Sequence, residues 1–156
     1  MYTKKIIIAF LLLTITAGFS QGKDLPEDFL SKEFHKERRA ALRAEMPKNS
    51  VAVFFSNATR NRANDVDYVY HQDPNFYYLT GYKEQNSVLL VFSEEQQTTK
   101  GTYNELFYVQ RRDARAEMWN GYRLGVEGVQ ETLGFKNVFI GEDFKDIAVD
   151  FSKFDK

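Results

Sequence analysis

Apolar and polar positions fall into short blocks along this chain, and each block predicts an element. Residues 6–15 read I-I-I-A-F-L-L-L-T-I, with Lys4 and Lys5 ahead of them and Gly18 and Ser20 behind. A basic head, an apolar run and then small residues is the layout of a secretory signal peptide, cleaved here after Ser20. The competing reading is a membrane anchor, but the run is about half the ~20 residues that span a bilayer. The expected location is therefore periplasmic or secreted, with no stable membrane span after cleavage.

A polar lead-in with Pro26 precedes Ser31, a good N-cap for a helix to about Met46, where Pro47 stops it. Phe34, Ala41, Leu42 and Met46 fall near one face of that helix, with Arg38, Arg39 and Arg43 largely off it. Val51–Phe55 is an apolar run of strand length, best read as a buried strand. Residues 57–66 read as a polar loop. Asp73 can cap a short helix with Pro74 at its first position and Gly81 at its end. Residues 87–92 and 105–110 read as strands of a hairpin, with 93–104 as its polar turn. Residues 111–125 form a polar connector holding Trp119. A helix is expected over 126–133 with Gly134 as its stop, a strand over 138–140, and a last helix from Asp143 to Phe151 with Phe144 and Ile147 on its apolar face. Helices alternating with strands predict one α/β domain over residues 21–156, and the hairpin makes its sheet mixed.

Composition narrows the function classes. Lys and Arg total 21 against 22 Asp and Glu, and removing residues 1–20 takes away only lysines. A slightly acidic chain argues against a nucleic-acid partner. There is no Cys, so no disulfide, thiolate nucleophile or lipidated N-terminal cysteine is available, and the two His, His35 and His71, are far apart. Asp65 and Asp67 lack further ligands nearby, and hydrogen bonding to loop amides explains them. His71 beside Asp73 could be half of a catalytic pair, but no nucleophile completes it, and a structural histidine is the plainer reading. Tyr68, Tyr70, Phe76, Tyr77, Tyr78 and Tyr82 could stack on bases or sugars, yet no basic groove accompanies them, so core packing is favoured. Trp119, in a polar connector, is either a plug over the core or an exposed anchor for a partner. The glycines at 121, 125 and 128 do not form a phosphate loop. The residues by themselves compose no complete active site.

Several motifs occur in a specific order. Phe34, Arg38, Arg39, Leu42 and Met46 fit F-x-x-x-R-R-x-x-L-x-x-x-M, and Phe54-Phe55 end the following strand. Residues 62–81 fit R-x-N-D-x-D-Y-x-Y-R-Q-D-x-x-F-Y-Y-L-T-G, with His71 where Arg is usual and Pro74 where Ser is common. Arg112, Asp113, Glu117, Trp119, Gly121, Arg123 and Gly125 fit R-D-x-x-x-E-x-W-x-G-x-R-x-G. Together these resemble the N-terminal domain of Xaa-Pro aminopeptidases.

The resemblance implies a ribonuclease-H-like mixed sheet flanked by helices, as in creatinase and prolidase N-domains, here without its last strand and helix. It implies an enzyme that removes the N-terminal residue from peptides with proline second, using two divalent metals, usually manganese, in a C-terminal pita-bread domain. No catalytic or metal-ligating residue of that site maps onto this chain, which is expected to be inactive alone. Trp119 is implied to be a substrate-entrance wall that reaches a neighbouring subunit. Asp113 and Arg123 would hold its loop. Asp67, Tyr70, His71, Gln72, Asp73, Gly81, Glu117 and Gly121 would be supporting residues. The implied partners are the catalytic domain, neighbouring subunits and proline-containing peptides. A free-standing binding or regulatory module, or the N-domain of a prolidase- or creatinase-like relative, are the alternatives.

Overall fold

Ser31 begins the first helix as its position predicts: its Oγ accepts from the Phe34 N–H at 3.2 Å. Helix α1 runs Lys32–Glu45, and Met46 is extended ahead of Pro47, because a proline disfavours helical backbone in the residue before it. The computed structural model describes residues 30–98, 101–146 and 149–155. The signal-peptide reading, Pro26 and Ile147 lie outside them.

Strands β1 (Val51–Phe55), β4 (Val88–Thr98), β5 (Gly101–Val109) and β6 (Val138–Ile140) form one sheet in the order β1-β4-β5-β6. The first three are antiparallel neighbours, and β6 lies parallel to β5. The sheet is therefore mixed, as expected. Between the strands lie the ribbon β2 (Asn61–Ala63) and β3 (Val66–Asp67), and helices α2 (Pro74–Thr80), α3 (Ala114–Asn120) and α4 (Gly125–Leu133).

Alternation along the strands builds two apolar layers. Leu89, Val91, Phe107 and Val109 pack with Phe76, Leu79, Tyr82, Val129, Leu133 and Phe135, joined by Leu42 of α1 and by Met46 just after it. Leu90, Phe92, Leu106 and Tyr108 pack on the opposite face with Val51, Val53, Phe144, Val149 and Phe154. Cover on both faces is why residues 88–92 are an unbroken apolar run rather than an alternating one.

Four local expectations change. The 93–104 turn is mostly strand: Gln96 pairs with Tyr103, Gln97 with Thr102 and Thr98 with Gly101, after a register shift. Polar side chains satisfy a strand that projects into solvent, so polarity did not mark its end. The 57–66 loop holds the β2–β3 ribbon, which turns at Asn64 with φ +52°. The 111–125 connector contains α3. The last α-helix is absent among the described residues, where 3-10 turns occupy Gly141–Asp146 and Phe151–Lys153. The anchors that this segment sets on the sheet, Phe144, Val149 and Phe154, fall five residues apart, which does not match a helical face.

Arg39 departs further from its helical-wheel position, being only 1% exposed. Its Nε and Nη2 donate to the Glu105 carboxylate of β5 at 2.8 and 3.2 Å, and Nη1 donates to the Leu79 carbonyl at 2.8 Å. The guanidinium lies 3.9 Å from the centre of the Phe135 ring. His35, one turn earlier, is also buried and donates from Nδ1 to the Tyr78 carbonyl at 2.8 Å. These two polar side chains dock α1 onto α2 and the sheet.

Candidate functional site

Two motif stretches meet beside the sheet. In the first, Gln72 is buried and its amide joins separate segments. Its Oε1 accepts from Tyr70 Oη at 3.0 Å, Asp73 N at 2.9 Å and Asn57 N at 3.2 Å. Its Nε2 donates to the Glu84 and Tyr82 carbonyls at 2.9 and 3.3 Å. A buried amide with its acceptor and donor both engaged fixes the chain around it. Burial pushes the Tyr70 hydroxyl above the usual phenol range.

Asp73 caps α2 by accepting from Phe76 N at 2.9 Å, with Pro74 behind it and Gly81 ending the helix at φ +72°. Asp67 accepts from Asn61 Nδ2 at 3.2 Å on the exposed ribbon. His71 is exposed, and its Nδ1 donates to the Gln72 carbonyl at 3.0 Å. The His71–Asp73 pair is thus not brought together as acid–base partners: one stabilises the loop and the other a helix start.

The second stretch carries Trp119. Asp113 Oδ1 accepts from Arg115 N and Ala116 N at 2.9 and 3.0 Å and starts α3. Arg112 meets Glu117 in a fork, with Nε to Oε1 at 2.6 Å and Nη2 to Oε2 at 2.8 Å. It also donates from Nη1 to Tyr122 Oη at 3.1 Å, with its guanidinium over that ring. Glu84, whose carbonyl holds Gln72, accepts from Leu124 N at 2.8 Å through Oε1 and from Tyr82 Oη at 2.7 Å through Oε2. Gln72, Glu84 and Leu124 therefore connect the two stretches. Arg123 makes no hydrogen bond or ion pair among the described residues and acts on Asp113 and Glu117 only through space, while Arg112 makes the hydrogen-bonded brace. Spacing alone could not choose between two arginines in one motif. An Arg five residues before a Glu across a helix start was the available signal.

On this frame Trp119 is 85% exposed, with Met118 at 77% and Tyr122 at 66%. Of the two readings the sequence left open, the core plug is excluded and a surface anchor remains. Gly121 follows α3 with φ +84° and its N–H on the Glu117 carbonyl. The arrangement offers an apolar ledge on an ion-paired base. Among the described residues, no group of three or more His, Asp or Glu side chains could hold a metal ion. The described residues do not fit a two-metal site.

The brace should respond to acid. The hydrogen bond from Arg112 holds the Glu117 carboxyl below its usual range, and the Ala116 N–H does the same for Asp113. A carboxyl with a lowered folded value adds stability that is complete above its unfolded value and is lost as pH falls through the folded one. Trp119 fluorescence anisotropy should therefore be flat near neutrality and fall below about pH 4. Glu117→Gln should show the lower anisotropy already at neutral pH, and an acid response unchanged by that substitution would count against the brace.

Comparison with known proteins agrees with this geometry. Residues 35–154 match the family described as aminopeptidase P, N-terminal domain. The chain is 37% identical over 115 residues to an Xaa-Pro aminopeptidase of Haemophilus influenzae, covering 74% of this chain and 26% of that protein. It is 34% identical over 106 residues to the Xaa-Pro aminopeptidase of Escherichia coli, covering 67% of this chain and 23% of the other. Among solved structures, Pseudomonas aeruginosa aminopeptidase PepP superposes with a TM-score of 0.67 at 32% identity, over 76% of this chain and 26% of that one. An Escherichia coli aminopeptidase P gives 0.66 at 28% identity, over 75% and 26%. The chain thus spans about a quarter of the length of these relatives. By motif order, by sheet topology and by these matches, it belongs to the aminopeptidase P N-terminal-domain family.

Proposed function

We propose that this domain is the non-catalytic N-terminal part of an exported Xaa-Pro aminopeptidase, which removes the first residue from peptides with proline second. Its role is to wall the substrate entrance and to contact neighbouring subunits through Trp119. The observation that carries the reading is the exposure of Trp119 on helix α3, which the Arg112–Glu117 fork ties to the preceding chain. An exposed indole offers a large apolar contact area, and the ion-paired helix start reduces the backbone ordering that such a contact would require. Such a wall restricts which peptides enter and takes no part in bond cleavage. The two metals, manganese by family, belong to a catalytic domain supplied by other residues. Export rests on the basic, apolar and small-residue order of residues 4–20.

Incubated with manganese and an Xaa-Pro peptide, the 156-residue chain should release no amino acid above a metal-free control, and release would overturn the reading. Joined to an aminopeptidase P catalytic domain, the chain should give an active enzyme. There Trp119→Ala should lower kcat/KM for a peptide about tenfold, through KM rather than kcat. A chain that cannot support activity in that assembly would favour a free-standing binding module.

A further inference from the structure

Past the carboxyl ends of the parallel strands β5 and β6 lies a pocket that neither the core nor the tryptophan ledge uses. Asn86, Gln110, Arg111, Arg123, Gly141 and Glu142 enclose about 260 Å³. Gln110 and Arg111 directly follow Val109, the last residue of β5, and Gly141 and Glu142 directly follow Ile140, the last of β6. In mostly parallel α/β sheets ligands bind in the crevice beyond the carboxyl ends of the strands; in this mostly antiparallel sheet β5 and β6 are the parallel pair that brings two such ends together. Close backbone packing forms its floor: a Cβ on Gly141 would lie 3.1 Å from the Asn86 carbonyl oxygen and 3.3 Å from that of Val109.

The lining is rich in donors, with two guanidinium groups and two carboxamides. Arg111 reaches Glu142 at only 3.3–3.4 Å, and both side chains are more than half exposed, at 56% and 61%, so this pair is weak. Arg123 is half-buried. It lowers the Asp113 and Glu117 carboxyls through space, yet no acceptor among the described residues is bonded to it. A half-buried guanidinium without an acceptor, facing a concave space, is arranged to receive one.

We propose that this pocket binds a carboxylate, held by the Arg123 fork, with the Asn86 and Gln110 amides available beside it. A monoanion is favoured over phosphate because Glu142 already sets one carboxylate at the rim and would repel a dianion more strongly. The site is distinct from the Trp119 ledge and does not depend on the peptidase reading.

The test is a titration of the 156-residue chain followed by the arginine Nε–Hε resonances, at low salt. The probes are N-acetyl-alanine, N-acetyl-alanine amide, N-acetyl-aspartic acid α-amide and inorganic phosphate. Saturable shifts at Arg123 are expected with the free acid and none with its amide. A response to the aspartic acid α-amide as strong as to the free acid would mark a side-chain carboxylate as the source, and a weaker one a chain terminus. Arg123→Gln should weaken binding by at least about tenfold, and Glu142→Gln should tighten it several-fold by removing the internal competitor. The second variant is a conservative surface change and keeps the test decisive if the first does not fold. No saturable shift with either acid, tighter binding of phosphate, or weaker binding in Glu142→Gln would each overturn the proposal.

Discussion

Arg39→Ala should lower the unfolding free energy by about 3–5 kcal/mol, read from urea denaturation of the intact chain. The substitution removes a guanidinium that is 1% exposed and leaves Glu105, whose side chain is 16% exposed, without its forked partner. Arg43 stands 3.9 Å from the same carboxylate and softens the loss, which places the expected value toward the lower end. The Leu79 carbonyl and the face of Phe135 also lose their cation. Arg39→Lys should recover little, because a single ammonium cannot reproduce two parallel bonds and a third to a carbonyl. Arg39→Met combined with Glu105→Leu should be markedly more stable than Arg39→Ala, since removing both charges leaves neither unpaired. A loss under 1 kcal/mol for Arg39→Ala would mean that α1 docks through its apolar side chains alone.

The second large effect is expected at Gly81. Its φ of +72° disfavours any residue with a Cβ, and an added Cβ would lie 2.8 Å from both Cδ2 and Nε2 of His35. His35 is 1% exposed, and its Nδ1 is tied to Tyr78, so the ring has little room to withdraw. Left-handed backbone costs about 1–2 kcal/mol for alanine, and overpacking adds about 1–3. Gly81→Ala should therefore destabilise the domain by about 2–5 kcal/mol. Gly134 supplies the comparison: it has the same φ of +72°, but its added Cβ would meet only the flexible Lys32 side chain at 3.4 Å. Gly134→Ala should show the backbone part alone, and equal losses at the two positions would sink the clash with His35.

These two sites mark where sequence reasoning stopped. The caps at Ser31 and Asp73 and the glycine stops at 81 and 134 were legible because each is a local device: a side chain or a left-handed backbone acts within a few residues of itself. The strands at 51–55, 87–92 and 138–140 were legible because strands that pack on a core require apolar runs, but only the central one is buried as that pattern predicts: β1 and β6 are edge strands that leave Phe55 and Phe139 exposed. Arg39 was misplaced because a helical wheel cannot see Glu105, sixty-six residues away on β5, whose carboxylate makes burial of a cation tolerable. Helix α3 leaves no trace in the apolar pattern because none of its residues is buried, so periodicity carries no signal there. In the final segment Phe144, Ile147 and Phe151 suit helical spacing and so predict a helix, whereas the sheet face takes Phe144, Val149 and Phe154.

The amino-acid order alone determined the family, through motifs whose sequence of appearance is specific, and the mixed α/β class, through alternating local patterns. Only the tertiary structure decided that Trp119 faces solvent, that Arg112 rather than Arg123 makes the hydrogen-bonded brace of α3, and that Arg123 lines a pocket beyond β5 and β6. The reason is physical: caps, stops and buried strands are settled by neighbours in sequence, whereas exposure and ion pairing are settled by neighbours in space.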